Sequence, residues 1–94
     1  MLILILYDVA TSDDGGPKRL RRVARACLDY GQRVQKSVFE CTVGPTEWAA
    51  LRGRLLDVMK PETDSIRFYF LDSDVKVEHH GAHEPIDMDG PLVV

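Results

Sequence analysis

From Leu2 to Tyr7 the chain reads LILILY, apolar at every position, and Asp8 is its first charged side chain. A strand with one wet face alternates apolar and polar residues, whereas an unbroken apolar run of this kind suits a strand buried on both faces. In a chain of only 94 residues this is a severe constraint, because a small domain leaves a large share of its surface exposed. Helices packed on a sheet cover one face of it. The run therefore predicts that a second copy covers the other face, sheet against sheet, and that the protein is a homodimer.

The same run is too short for a membrane span or a secretory leader and has no basic segment before it, which predicts a cytoplasmic protein without a membrane partner. Cys27 and Cys41 lie outside any CxxC spacing and inside apolar periodicities, so they read as reduced core thiols.

Beyond Asp8, Gly15 and Gly16 precede Pro17, a residue suited to a first helical turn. A helix is expected from there to Gly31, capped by Asp13 or Asp14, with Leu20, Val23, Ala24, Cys27 and Leu28 inward and Gly31 as its stop. The segment RVQKSVFECTV (Arg33 to Val43) favours strand but changes phase: Val34 and Val38 share one parity, Phe39, Cys41 and Val43 the other. A bulge or break near Ser37 accounts for the switch. Thr46 then caps a second helix with Trp48, Leu51, Leu55, Val58 and Met59 inward, closed by Pro61. SIRFYFL (Ser65 to Leu71) is a strand, Asp72 to Asp74 a turn, and Val75 to Glu78 a short strand. This order predicts an α+β fold, a ferredoxin-like βαββαβ two-layer sandwich over residues 1–78, followed by a C-terminal extension over 79–94.

The net charge of −3 hides an asymmetry. Residues 17–36 hold seven of the twelve basic side chains (Lys18, Arg19, Arg21, Arg22, Arg25, Arg33 and Lys36) against one acid, Asp29. From Asp57 onward nine acids face three bases. A basic segment on an acidic protein is a patch able to meet a polyanion, although a solvated helix face has the same composition. Arg19, Arg21, Arg22 and Arg25 are the candidate backbone contacts, and Ser37 is placed to hydrogen-bond a phosphate.

An Asp at a strand end is most often a turn-former or a cap, but Asp13 and Asp14 stand closer to the helix and leave Asp8 without that duty. One carboxylate does not make a magnesium site, since the ion takes about six oxygens. A twofold axis near the end of the first strand would supply a second Asp8, so that the two subunits share one ion. The stretch HHGAH (His79, His80, His83), flanked by Glu78 and Glu84, has ligand-type side chains but no second pair or Cys set, and reads better as a polar linker. DSDVK at Asp72 lacks the Gly and distal Glu of a calcium loop, and no phosphate-binding Gly-Lys-Ser/Thr loop is present. Phe39 reads from the residues alone as core.

Taken together, YDV at Tyr7 to Val9, the basic first helix, RVQKSVFEC (Arg33 to Cys41), the Trp-containing second helix and the late aromatic strand resemble the small CRISPR-associated proteins of spacer acquisition. This is the second Cas protein family, a group of CRISPR-associated endoribonucleases, and the resemblance runs from Met1 to about Glu78. It implies a ferredoxin-like homodimer in which Asp8 binds magnesium (Mg2+) between the subunits and is the catalytic residue, with Tyr7 beside the metal. Arg33 and Phe39 fall on further sites implicated in cleavage, and Arg19 and Arg22 on helix arginines. The implied activity is metal-dependent cleavage of single-stranded RNA or double-stranded DNA. In spacer acquisition such a dimer instead bridges subunits of the CRISPR integrase and holds a short duplex, a non-catalytic scaffold. GPLVV at Gly90 to Val94 resembles the family's added C-terminal strand, which joins the partner's sheet. The loop TSDDGGPKR departs from the family pattern in its extra acids and glycines.

Overall fold

The computed structural model describes residues 1–10, 14–72 and 76–82. Asp13, Asp74, Val75, His83, Glu84 and the GPLVV tail lie outside them, and with them the expectations placed there. The elements run β1 (Leu2–Asp8), α1 (Gly16–Tyr30), β2 (Gly31–Gln35), β3 (Val38–Thr42), α2 (Pro45–Val58), β4 (Ser65–Phe70) and β5 (Lys76–Gly81). The strands form one sheet in the order β2-β3-β1-β4-β5, with every neighbouring pair antiparallel. The inner order, with β1 between β3 and β4, is that of a ferredoxin-like fold, to which β5 adds an edge.

The two helices cover one face. Ile3, Ile5 and Tyr7 point into it and join Phe39 and Cys41 of β3, Ile66 and Phe68 of β4, and Val23, Cys27, Trp48, Leu51 and Leu55 of the helices. Trp48 meets Phe68 and Phe70 edge-on, with centroids 4.8 and 5.5 Å apart, the geometry that the ring quadrupoles favour. The even positions of β1 point the other way. Leu2, Leu4 and Leu6 form a half-buried apolar row beside Val38 of β3 and Tyr69 of β4, away from both helices.

The phase switch of the third segment is a turn at Lys36 and Ser37 joining β2 to β3, with a register shift between Arg33 and Gln35. Four local expectations are corrected. The N-cap of α1 is Gly15, without a side-chain cap from Asp14. On that helix Ala26 is buried while Leu28 is 48% exposed, because the inward stripe runs through Val23, Ala26 and Cys27. The N-cap of α2 is Gly44 rather than Thr46: Pro45 takes the first turn, and the Gly44 N–H donates to Glu47 Oε1 at 3.0 Å. β5 also continues through His79 and His80, which read as linker in the sequence. Cys27 and Cys41 are free and buried, and burial pushes the Cys27 thiol up to about 12. No helix among the described residues is long and apolar enough to cross a membrane.

Candidate nucleic-acid interface and strand-end carboxylate

β1 is the central strand, and its C-terminal end brings Asp8 to the sheet surface. Being even, Asp8 lies in the row of Leu2, Leu4 and Leu6, on the face the helices leave open, and it is exposed. Its register partner on β4 is Ser65. Tyr7 takes the opposite face. Its ring is buried and stacks on Phe39 with centroids 5.7 Å apart, and its hydroxyl lies 3.5 Å from the Lys36 carbonyl. Burial raises the Tyr7 phenol above its ordinary range, and the Arg33 guanidinium beside it offsets part of that rise.

The β2–β3 turn is drawn to this strand end, because the Tyr7 N–H donates to the Ser37 carbonyl at 3.2 Å. Ser37 thereby borders two grooves that meet at Asp8. On the open-face side a groove of about 230 Å³ is lined by Val38, Ser65 and Arg67 as well. On the helix side a groove of about 390 Å³ is lined by Arg21, Arg33 and Lys36. Arg33 is held from below by Phe39, its guanidinium carbon 5.1 Å from the ring centroid. Phe39 itself is fully buried, so it supports Arg33 and Tyr7 rather than presenting a surface to a ligand.

The helix arginines divide. Arg21 faces the groove beside Asp8, whereas Arg22 and Arg25 line a separate groove with Arg54 of α2. There Asp29 draws Arg25 to 3.4 Å and Arg54 to 3.0 Å, which neutralises part of the patch. Arg19, read from the sequence as a nucleic-acid contact, turns inward and its Nε lies 2.8 Å from Asp64, a carboxylate buried completely. Asp64 is the residue that sequence reasoning missed. A single Asp after a helix-closing Pro gives no signal of burial, and its partner is 45 positions away.

Among the described residues no three His, Cys, Asp or Glu side chains converge as metal ligands. Asp8 and the Ser65 beside it are hard oxygen donors of the kind magnesium takes, but one chain supplies too few protein oxygens to hold such an ion firmly. A second carboxylate from another copy would fit the donor chemistry.

Structurally this is a ferredoxin-like domain whose central strand ends in a carboxylate among cations, the layout of a protein that handles a polyanion. The family model for CRISPR associated protein Cas2 matches residues 1–78. A protein named CRISPR-associated endoribonuclease Cas2 in Chlorobaculum tepidum is 54% identical over 96 residues, spanning all of both chains. One named CRISPR-associated endonuclease Cas2 in Halalkalibacterium halodurans is 53% identical over 95 residues, spanning 99% of each chain. The crystal structure of Streptococcus pyogenes Cas2 at pH 6.5 superposes with a TM-score of 0.71 at 53% identity, covering 79% of this chain and 89% of that one. The chain belongs to the CRISPR-associated Cas2 family.

Proposed function

We propose that this protein acts in the cytoplasm as a homodimeric, metal-dependent endonuclease of CRISPR spacer acquisition, with Asp8 of both subunits sharing one magnesium ion. The observation that supports this best is the placement of Asp8 at the end of the apolar row Leu2, Leu4 and Leu6, on the sheet face without helices. Packing that row against its copy around a twofold axis near the strand end brings the two carboxylates together. Bound there, magnesium supplies a Lewis acid for the phosphoryl oxygen and lowers the pKa of an attacking water. Asp8 holds the ion. Arg21, Arg33 and Lys36 bind the phosphates on either side of the scissile bond, and the Ser37 hydroxyl donates to a phosphate oxygen. Tyr7 and Phe39 act beneath the surface by fixing the strand end and Arg33.

Contacts of this kind read backbone rather than sequence, so single-stranded RNA and double-stranded DNA both suit the grooves. The test is cleavage of each with magnesium and with EDTA by wild type and Asp8→Asn. Loss of cleavage in the variant, with dimer and nucleic-acid affinity kept, is expected; equal cleavage by both proteins overturns the reading.

A second reading is favoured by the groove of Arg22, Arg25 and Arg54, which Asp8 does not line. In that reading the dimer is a scaffold that tracks duplex phosphates and bridges the integrase subunits without cutting. Reversing the charge of Arg21, Arg22 and Arg25 then flattens the salt dependence of duplex binding, and an unchanged slope excludes it.

A further inference from the structure

Ala10 lies two residues beyond Asp8, and side chains from distant parts of the chain take both of its backbone polar groups. Its N–H donates to Asp64 Oδ1 at 3.0 Å, and its carbonyl accepts from Arg19 Nη2 at 3.2 Å. The ring closes between those two side chains, with Arg19 Nε donating to Asp64 Oδ2 at 2.8 Å and Nη2 to Oδ1 at 3.3 Å. Asp64 is held in turn by the Lys60 N–H at 2.9 Å and the Thr63 hydroxyl at 3.2 Å, and its own carbonyl accepts from the Ala82 N–H at 3.0 Å. The next residue, Ser65, is the register partner of Asp8. Asp8 is thus bracketed by the two arms of one device, Ser65 across the sheet and Ala10 along the chain.

A buried ion pair is a poor means of gaining stability, because desolvation offsets most of the attraction and an apolar pair of equal volume does as well or better. What an apolar pair cannot do is hold the N–H and the carbonyl of one peptide segment at fixed positions. Arg19 stands in the first turn of α1, so the pair ties the backbone just beyond Asp8 directly to the start of that helix.

We infer that the Arg19–Asp64 pair is a positioning unit that fixes the backbone presenting Asp8, and so sets the affinity for the shared divalent ion and the rate of turnover without touching nucleic acid. This rests on the reading of Asp8 as the metal ligand. Arg19 is a positioning residue here, distinct from Arg21 and Arg33, which face the groove.

The test uses the full chain as a dimer, with Asp64→Asn and Arg19→Lys compared with wild type and Asp8→Asn. Manganese is titrated and followed by electron paramagnetic resonance, and cleavage is resolved into kcat and KM; circular dichroism and thermal melting check the fold. Asp64→Asn is expected to raise the manganese half-saturation and lower kcat by about tenfold each, as loss of an outer partner does at other metal sites, with KM for nucleic acid unchanged. Arg19→Lys keeps the charge but cannot reach Asp64 and Ala10 together, and shifts both in the same direction by about threefold. If Asp64→Asn does not fold, Arg19→Lys decides. Folded variants that bind manganese and turn over like wild type, beside an inactive Asp8→Asn, overturn the unit alone, as does a rise in KM with kcat unchanged. Manganese binding by Asp8→Asn equal to that of wild type overturns instead the metal role of Asp8.

Discussion

Arg33 and Phe39 are register partners on neighbouring strands, and the guanidinium carbon stands 5.1 Å from the centroid of a ring with no exposure to solvent. The cation is therefore held from beneath by a group that a ligand cannot reach. Phe39→Leu keeps an apolar side chain in the core but removes the ring face. Unfolding in urea should show a loss of about 1–2 kcal/mol, from the lost contact volume and the Tyr7 stack together. Affinity for single-stranded RNA should fall with it, while manganese binding at Asp8 stays at the wild-type level. Equal losses in both binding assays would mean that Phe39 supports the whole strand end and not Arg33 in particular.

The row Leu2, Leu4 and Leu6 makes a separate prediction. In register, Leu4 stands between Glu40 and Tyr69 on the open face, away from the helices. Leu4→Glu places a carboxylate beside Glu40 in one subunit and in the proposed contact with the other. The monomer should keep its fold by circular dichroism, since the helix-side core is untouched. Sedimentation equilibrium should show the dimer weakened by at least about thirtyfold in Kd, the equivalent of burying one leucine on each side less well. Cleavage should vanish in the same concentration range. A dimer of wild-type strength would move the interface elsewhere on the molecule.

Gly31 stops α1 where the sequence places the stop, but not through left-handed backbone: its φ is −164°, an extended conformation open to any residue, and β2 begins there directly. The need for glycine is one of space: a Cβ would come within 2.2 Å of the Glu40 carbonyl oxygen and 2.6 Å of Cys41 Sγ. Gly31→Ala is expected to cost about 3 kcal/mol in urea unfolding through overpacking against backbone that has nowhere to move. Stability unchanged within about 0.5 kcal/mol, the usual range for surface substitutions, would mean that β2 shifts freely at the sheet edge.

The features visible in the sequence share a physical cause, as do those that were not. The apolar run of β1, the helix periodicities and the phase switch at Ser37 are local patterns whose period is set by backbone geometry, and each resolves into the expected element. The placement of Asp8 and Tyr7 on opposite faces follows from the same period of two. Arg19 is different. On the helix it is one of four arginines in seven positions, and nothing in its neighbours distinguishes it from Arg21 or Arg22. Its role is fixed by Asp64, 45 residues on, and a contact of that separation leaves no periodic trace. The continuation of β5 through His79 and His80 was hidden for a related reason: its pairing with β4 is decided by register, while its composition is that of a polar loop.

The loss of stability in acid should run through two carboxylates. Burial alone would raise Asp64, but hydrogen bonds from Arg19, Lys60 and Ala10 and the Arg19 charge outweigh it and hold the carboxyl below its usual range. Arg52 lowers Glu78 in the same way, helped against burial by His80, whose Nε2 lies 2.5 Å from the carboxylate. Because both pKa values are lower folded than unfolded, the unfolded chain binds more protons in the interval between them, and stability rises with pH there. The contribution is therefore complete above the unfolded values, about 3.9 for Asp and 4.3 for Glu, and is lost as pH falls through the lower folded ones. Urea unfolding should give a plateau near neutrality and a decline that steepens below about pH 4.5. Asp64→Asn should lower the plateau by about 3 kcal/mol, the effect of leaving Arg19 buried without its carboxylate, and flatten the decline. A variant whose stability keeps the wild-type slope in acid would show that Asp64 contributes no proton linkage, and Glu78→Gln would then be expected to remove the slope instead.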